Sequence, residues 1–219
     1  MLHKINNNNL YIALETVGAS LCSLCDLHGT EYLWQGGKTT KDMGMPIIFL
    51  NDETVLERQF KVVEKMATKL VLKYSCAEQS LNLNVKYELM ENTLNIMFYV
   101  ENVGEHTKEY LIGAKPCFFV PIDEEDSFCN YVLKNDGQNY LFKSIQSNIS
   151  EMVLNFEKSN TLSLYSLESG QGITFTTEAL KDVVVTTLKS DDLLCITAKE
   201  KAVILPNEVK EHSIKIALI

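Results

Sequence analysis

Arginine is almost absent: Arg58 is the one guanidinium in 219 residues, and the formal net charge is −9. Binding to phosphate backbones relies on arginine forks and a positive surface, so this balance excludes nucleic acid as the expected partner. No run of ~18 apolar residues occurs, which excludes a membrane-spanning helix. The opening Met1-Leu2-His3-Lys4 and the polar Asn6 to Asn9 lack the apolar stretch of a signal peptide, so a cytoplasmic location is expected. Proline numbers four, and no Pro-rich linker, internal repeat or break in composition divides the chain. One domain over 1–219 is expected, since β-sandwiches reach ~200–250 residues as a single unit.

Hydrophobic residues make up 46% and charged residues 22%, the balance of an ordinary globular chain. A chain of this length buries about 70% of the surface exposed when unfolded, so it needs no metal or disulfide staple and no cofactor is expected. Cysteines stand at 22, 25, 76, 117, 129 and 195, and reduced thiols are expected at all six. Cys22, Cys25 and His28 form a C-x2-C-x2-H string. They read as part of a strand, where positions three apart point to opposite faces, and no second pair at ligand spacing completes a tetrahedral zinc set. The run Asp123-Glu124-Glu125-Asp126 carries calcium-type oxygen ligands but lacks the Gly-containing loop of a calcium site, so it reads as a solvated turn.

Alternation of period two dominates what is present. Leu81, Leu83, Val85, Tyr87 and Leu89 share one parity, and Leu94, Ile96, Phe98 and Val100 repeat it across Met90-Glu91-Asn92-Thr93. This predicts an antiparallel hairpin over 81–101, with Asn92 supplying the left-handed turn position. Further strands are expected at 10–15, 19–26, 60–66, 69–77, 128–133, 161–166, 172–177, 182–188, 193–197 and 210–218. Turn signals between them include His28-Gly29, Gly36-Gly37, Asn135-Asp136-Gly137 and Ser169-Gly170. A short helical stretch is expected within 143–155. Many strands without a long amphipathic helix predict an all-β fold, a large antiparallel sandwich or barrel.

Four stretches in order carry a family resemblance. Gly18-Ala19-Ser20-Leu21 leads to Glu31-Tyr32-Leu33-Trp34-Gln35-Gly36. Pro46-Ile47-Ile48-Phe49 follows, then Gly113-Ala114-Lys115-Pro116-Cys117-Phe118, and finally Cys195-Ile196-Thr197. The order and spacing resemble the galactose mutarotase, or aldose 1-epimerase, family, whose motifs there are G-A-x-L to E-Y-L-W-Q-G, P-x-L-F, G-x-H-P-x-F and C-x-E. The resemblance implies a single galactose mutarotase-like supersandwich with a sugar cleft on one concave sheet. Family members are noticeably longer, and the shortfall here falls mainly after Phe49.

Mutarotation needs a base at the anomeric hydroxyl and an acid at the ring oxygen, which Glu and His supply in that family. Here the His of G-x-H-P-x-F is Lys115 and the Glu of C-x-E is Thr197. The family's H-G-F-A-R segment has no match, and an ungapped count back from Phe60 puts Asp52 at its His and Leu56 at its Arg. A threonine hydroxyl does not ionise near neutrality, and a solvated lysine titrates near ~10.4, so neither fills the role it replaces. The expected result is loss of most mutarotase activity. An ion pair between Lys115 and Asp52 is expected to plug the cleft, with Lys115 as a point charge for a sugar phosphate the alternative. Trp34, Phe118 and Phe119 are the aromatics that can stack on a pyranose, although aromatics in a β-sandwich are more often core. The leading reading is a non-catalytic relative binding a monosaccharide or sugar phosphate through Lys115, Phe118, Trp34, Asp52 and Thr197. A rewired isomerase, with Lys115 and Asp52 as acid and base, is the second, and a scaffold for homo-oligomers the third.

Overall fold

A computed structural model describes the chain except for 37–43, 51–56, 123–126, 145–146, 148 and 156–159. Eighteen strands run through the described residues. The first three, β1 (Leu2–Asn6), β2 (Leu10–Glu15) and β3 (Leu21–Asp26), pair in that order as a small sheet. There follow β4 (Ile47–Phe49), β5 (Lys61–Lys65), β6 (Lys69–Cys76), β7 (Leu81–Met90), β8 (Thr93–Asn102), β9 (Lys108–Ala114) and β10 (Cys117–Phe119). The chain continues as β11 (Tyr131–Asn135), β12 (Gln138–Leu141), β13 (Ile149–Asn155), β14 (Thr161–Ser166), β15 (Gly172–Glu178), β16 (Asp182–Leu188), β17 (Leu193–Ile204) and β18 (Val209–Leu218). Two large antiparallel sheets result. One has nine strands in the order β12-β11-β14-β15-β18-β8-β7-β6-β5; the other has six, β13-β16-β17-β9-β4 with β10 also on β17.

The inner faces are where the period-two pattern puts its apolar parity. Leu83, Val85 and Tyr87 of β7 and Ile96 and Phe98 of β8 are fully buried, against Ile112, Ala114, Ile196 and Ala198 in the same core. The hairpin over 81–101 forms as the alternation predicts, with Met90 opposite Thr93. Its left-handed residue is Glu91 (φ 52°), not Asn92, whose side-chain amide instead donates to Leu218 O at 2.7 Å. Asp136 and Gly137, both at positive φ, form the two-residue turn between β11 and β12 that an Asp-Gly pair favours.

Strands β1, β4, β9, β10 and β12 were not among the expected ones, and two expected elements take another form. Among the described residues of 143–155 there is no α-helix: Phe142–Ser144 is a 3-10 turn and Ile149–Asn155 is an edge strand on β16. Ile149, Met152 and Val153 fall at i, i+3 and i+4, which imitates a helical stripe; Ser150, Met152 and Leu154, opposite Thr187, Val185 and Val183, carry the alternation that wins. The strand expected at 128–133 begins at Tyr131, because Phe128–Asn130 is a 3-10 turn capped by Ser127.

The sheets are tied by His212 of β18. Its Nδ1 lies 2.8 Å from Ala179 O, and its Nε2 lies 2.9 Å from the hydroxyl of Tyr110 on β9. A carbonyl only accepts, so Nδ1 carries the proton and Nε2 accepts from Tyr110; the neutral imidazole fits both partners. Burial lowers the His212 pKa below 6.5, partly offset by the bond to Ala179 and by Glu200. With the folded value below the unfolded one, the stability contributed is complete above about pH 6.5 and is lost as pH falls below it. Thermal melts should therefore drop between pH 7 and 5, and His212→Gln should flatten that dependence while lowering stability at pH 7. An equal slope in the variant would remove His212 as the cause.

Candidate functional site

All four motif stretches converge on β10 and its surroundings. Ala114 of β9 lies opposite Ala198 of β17, and Cys117 of β10 lies opposite Cys195. The two registers are in phase, so Lys115 lies opposite Thr197 and Pro116 opposite Ile196. Ile196 N–H donates to Pro116 O at 2.9 Å, and proline, having no N–H, returns nothing. The flanking pairs, Lys115 with Thr197 and Cys117 with Cys195, are then the close, non-hydrogen-bonded kind whose side chains meet on one face. Gly113 makes this approach possible: a Cβ there would sit 2.1 Å from Ala198 O. On the other side, Lys115 N–H donates to Pro46 O at 3.0 Å, bringing in the 46–49 stretch. The 31–36 stretch closes the group, since Trp34 N–H donates to Cys117 O at 2.8 Å and Phe119 N–H to Tyr32 O at 3.1 Å. Glu31 holds that segment by accepting from Leu24 N and Leu33 N, each at 2.9 Å.

Two cysteines share this face with Lys115 and Thr197. Cys117 and Cys195 form a disulfide, with Cα atoms 4.1 Å apart. This overturns the expectation of six reduced thiols; the other four are free. The pairing arises from strand register, which 78 residues of sequence separation conceal. The signal was present in the motifs, since G-A-K-P-C-F and C-I-T each place a cysteine two residues from a site position. Trp34 is 1% exposed and packs on the disulfide with Leu193, flanked by Phe119 and Leu188, while its indole N–H donates to Asp191 O at 2.9 Å. Phe118, fully buried, points into the sandwich core. Neither ring presents a face to a ligand. Phe119, of the same parity as Cys117 and half-buried, is the aromatic left near the surface. Lys115 and Thr197 are both half-buried. Asp52, and with it the Lys115–Asp52 pair and Leu56, lies outside the described residues, as does the carboxylate run 123–126.

The histidines lie elsewhere: His3 on β1, His28 and His106 in exposed turns, and His212 between the sheets. Among the described residues, no group of three or more His, Cys, Asp or Glu is placed to hold a metal ion. Burial, with the Glu15 and Glu31 carboxylates nearby, pushes the Cys22 thiol up. Burial also raises Cys25, eased by a bond from Ser23 and reinforced by Glu31. Both shifts favour the protonated thiol.

A galactose mutarotase-like protein from Lactobacillus casei ATCC 334 matches with a TM-score of 0.82 and 16% identity, over 100% of both chains. The chain has the galactose mutarotase-like fold. A galactose mutarotase related enzyme from Lactobacillus acidophilus gives a TM-score of 0.82 at 14% identity, covering 100% of this chain and 97% of that one. In sequence, the plasmid protein LacX of Lactococcus lactis subsp. lactis is 25% identical over 167 residues, which span 61% of this chain and 56% of LacX. The matched part is thus little more than half of that relative. No family model matches the sequence.

On this galactose mutarotase-like scaffold, the outer face of β9, β10 and β17 offers an ammonium group, a hydroxyl and one half-buried aromatic edge. These can hold hydroxyl or anionic oxygens. No helix among the described residues is long and apolar enough to cross a membrane.

Proposed function

We propose that the protein is an aldose 1-epimerase family member that binds a monosaccharide or sugar phosphate on the outer face of its six-stranded sheet and no longer catalyses mutarotation. The observation that carries this reading is the cross-strand pair of Lys115 and Thr197, which fills the two motif-anchored positions with groups unable to exchange roles as acid and base. General acid or base help is worth about 10²–10⁴ per positioned group, so replacing both leaves little acceleration. Binding chemistry survives the replacement: an ammonium donates to phosphate or hydroxyl oxygens, and Phe119 lies on the same face. Titration with glucose, galactose and galactose 6-phosphate, followed by amide NMR, should give saturable shifts centred on Thr197 and Phe119. The rate of mutarotation should equal that of buffer. Saturable shifts elsewhere, or none with any of the three, would count against the reading.

A further inference from the structure

A second cavity, of about 610 Å³, opens between the two large sheets, where β12 and the turn Phe142–Ser144 face β13 and β16. It is separate from the outer face. Val184 and Thr186 share the parity of Thr197 and point outward, whereas Val185 and Thr187 point inward and line the cavity. Its size lies within the ~300–1,000 Å³ of small-molecule sites.

Two features define what fits. First, none of the described lining residues is charged. Phe142, Met152 and Val185 form apolar walls, and hydroxyls come from Tyr140, Ser150 and Thr187. Burying a phosphate or carboxylate without a counter-charge is costly, so the occupant is neutral. Second, Thr187 is 4% exposed and its Oγ1 has no hydrogen-bond partner. Buried hydroxyls are nearly always paired, and an orphan on a cavity wall marks where a group from outside completes the bonding. The Tyr140 hydroxyl, by contrast, already donates to Gln138 Oε1 at 2.7 Å, which leaves its ring as wall and its oxygen able to accept. We infer that this inter-sheet cavity is a binding site for an uncharged, hydroxylated small molecule with an apolar face, anchored by Thr187 and Ser150. It stands independently of the outer-face reading.

Hexane-1,2-diol is a suitable probe, with hexanoate as its charged counterpart. In amide NMR the diol should shift Ser150, Met152 and Thr187 saturably, and hexanoate should not. Thr187→Val keeps the side-chain volume and removes the orphan hydroxyl, so it should leave the melting temperature unchanged or raised while weakening the diol about 3- to 10-fold. Ser150→Ala, on the edge strand, should weaken it similarly and guards against a folding failure at the buried position. Absence of saturable shifts with the diol, equal response to hexanoate, or unchanged affinity in both variants would overturn the assignment.

Discussion

Replacing both cysteines, Cys117→Ala with Cys195→Ala, is expected to lower stability by roughly 2–4 kcal/mol, the usual worth of a native cross-link. The bridge joins residues 78 apart, so cutting it frees a long loop in the unfolded chain. For a domain of this size each kcal/mol moves the melting point by about 2–4 °C, so the drop should be roughly 4–16 °C. Reductant should produce the same drop in the wild type and none in the double variant. A wild-type melt insensitive to reductant under unfolding conditions would show that the pair is not bonded in solution.

Trp34→Ala is expected to cost about 3–5 kcal/mol, the range for deleting a large buried aromatic. Trp34 is buried against Cys117, Leu193 and Cys195, and its indole N–H satisfies Asp191 O, so truncation empties a filled space and orphans a carbonyl. The same substitution removes the cover over the disulfide. Reduction by dithiothreitol below the melting temperature should become faster in Trp34→Ala than in the wild type. Trp34→Phe, which keeps most of the volume and loses the N–H, should fall between the two in stability. A variant with wild-type stability and an unchanged reduction rate would mean that Trp34 does not pack on the bridge.

The long hairpin of β7 and β8 was readable because ten-residue strands with strict alternation leave no other period to choose. Strand β13 was not, because Ile149, Met152 and Val153 satisfy helical spacing, and only its pairing with β16 settles the choice. Strands β1, β4, β10 and β12 are short or polar and are held by their neighbours rather than by their own pattern. At the site, the motifs singled out Lys115 and Thr197 separately, and only the strand register makes them cross-strand partners. The aromatics beside the motifs read as a stacking platform or, more often in a sandwich, as core, and the cluster around Trp34 and the core around Phe118 decide for the second. Phe118 and Phe119 are sequence neighbours, but one belongs to the core and the other to the outer face, a difference set by strand parity alone.

As proposed above, the outer face keeps the place of a mutarotase site without its acid and base. Polarimetry on freshly dissolved α-glucose and α-galactose, with and without the protein, tests it most directly. The expected result is equilibration at the buffer rate for both sugars. Acceleration that disappears in Lys115→Ala would contradict it and would make Lys115 a working acid or base in a rewired isomerase.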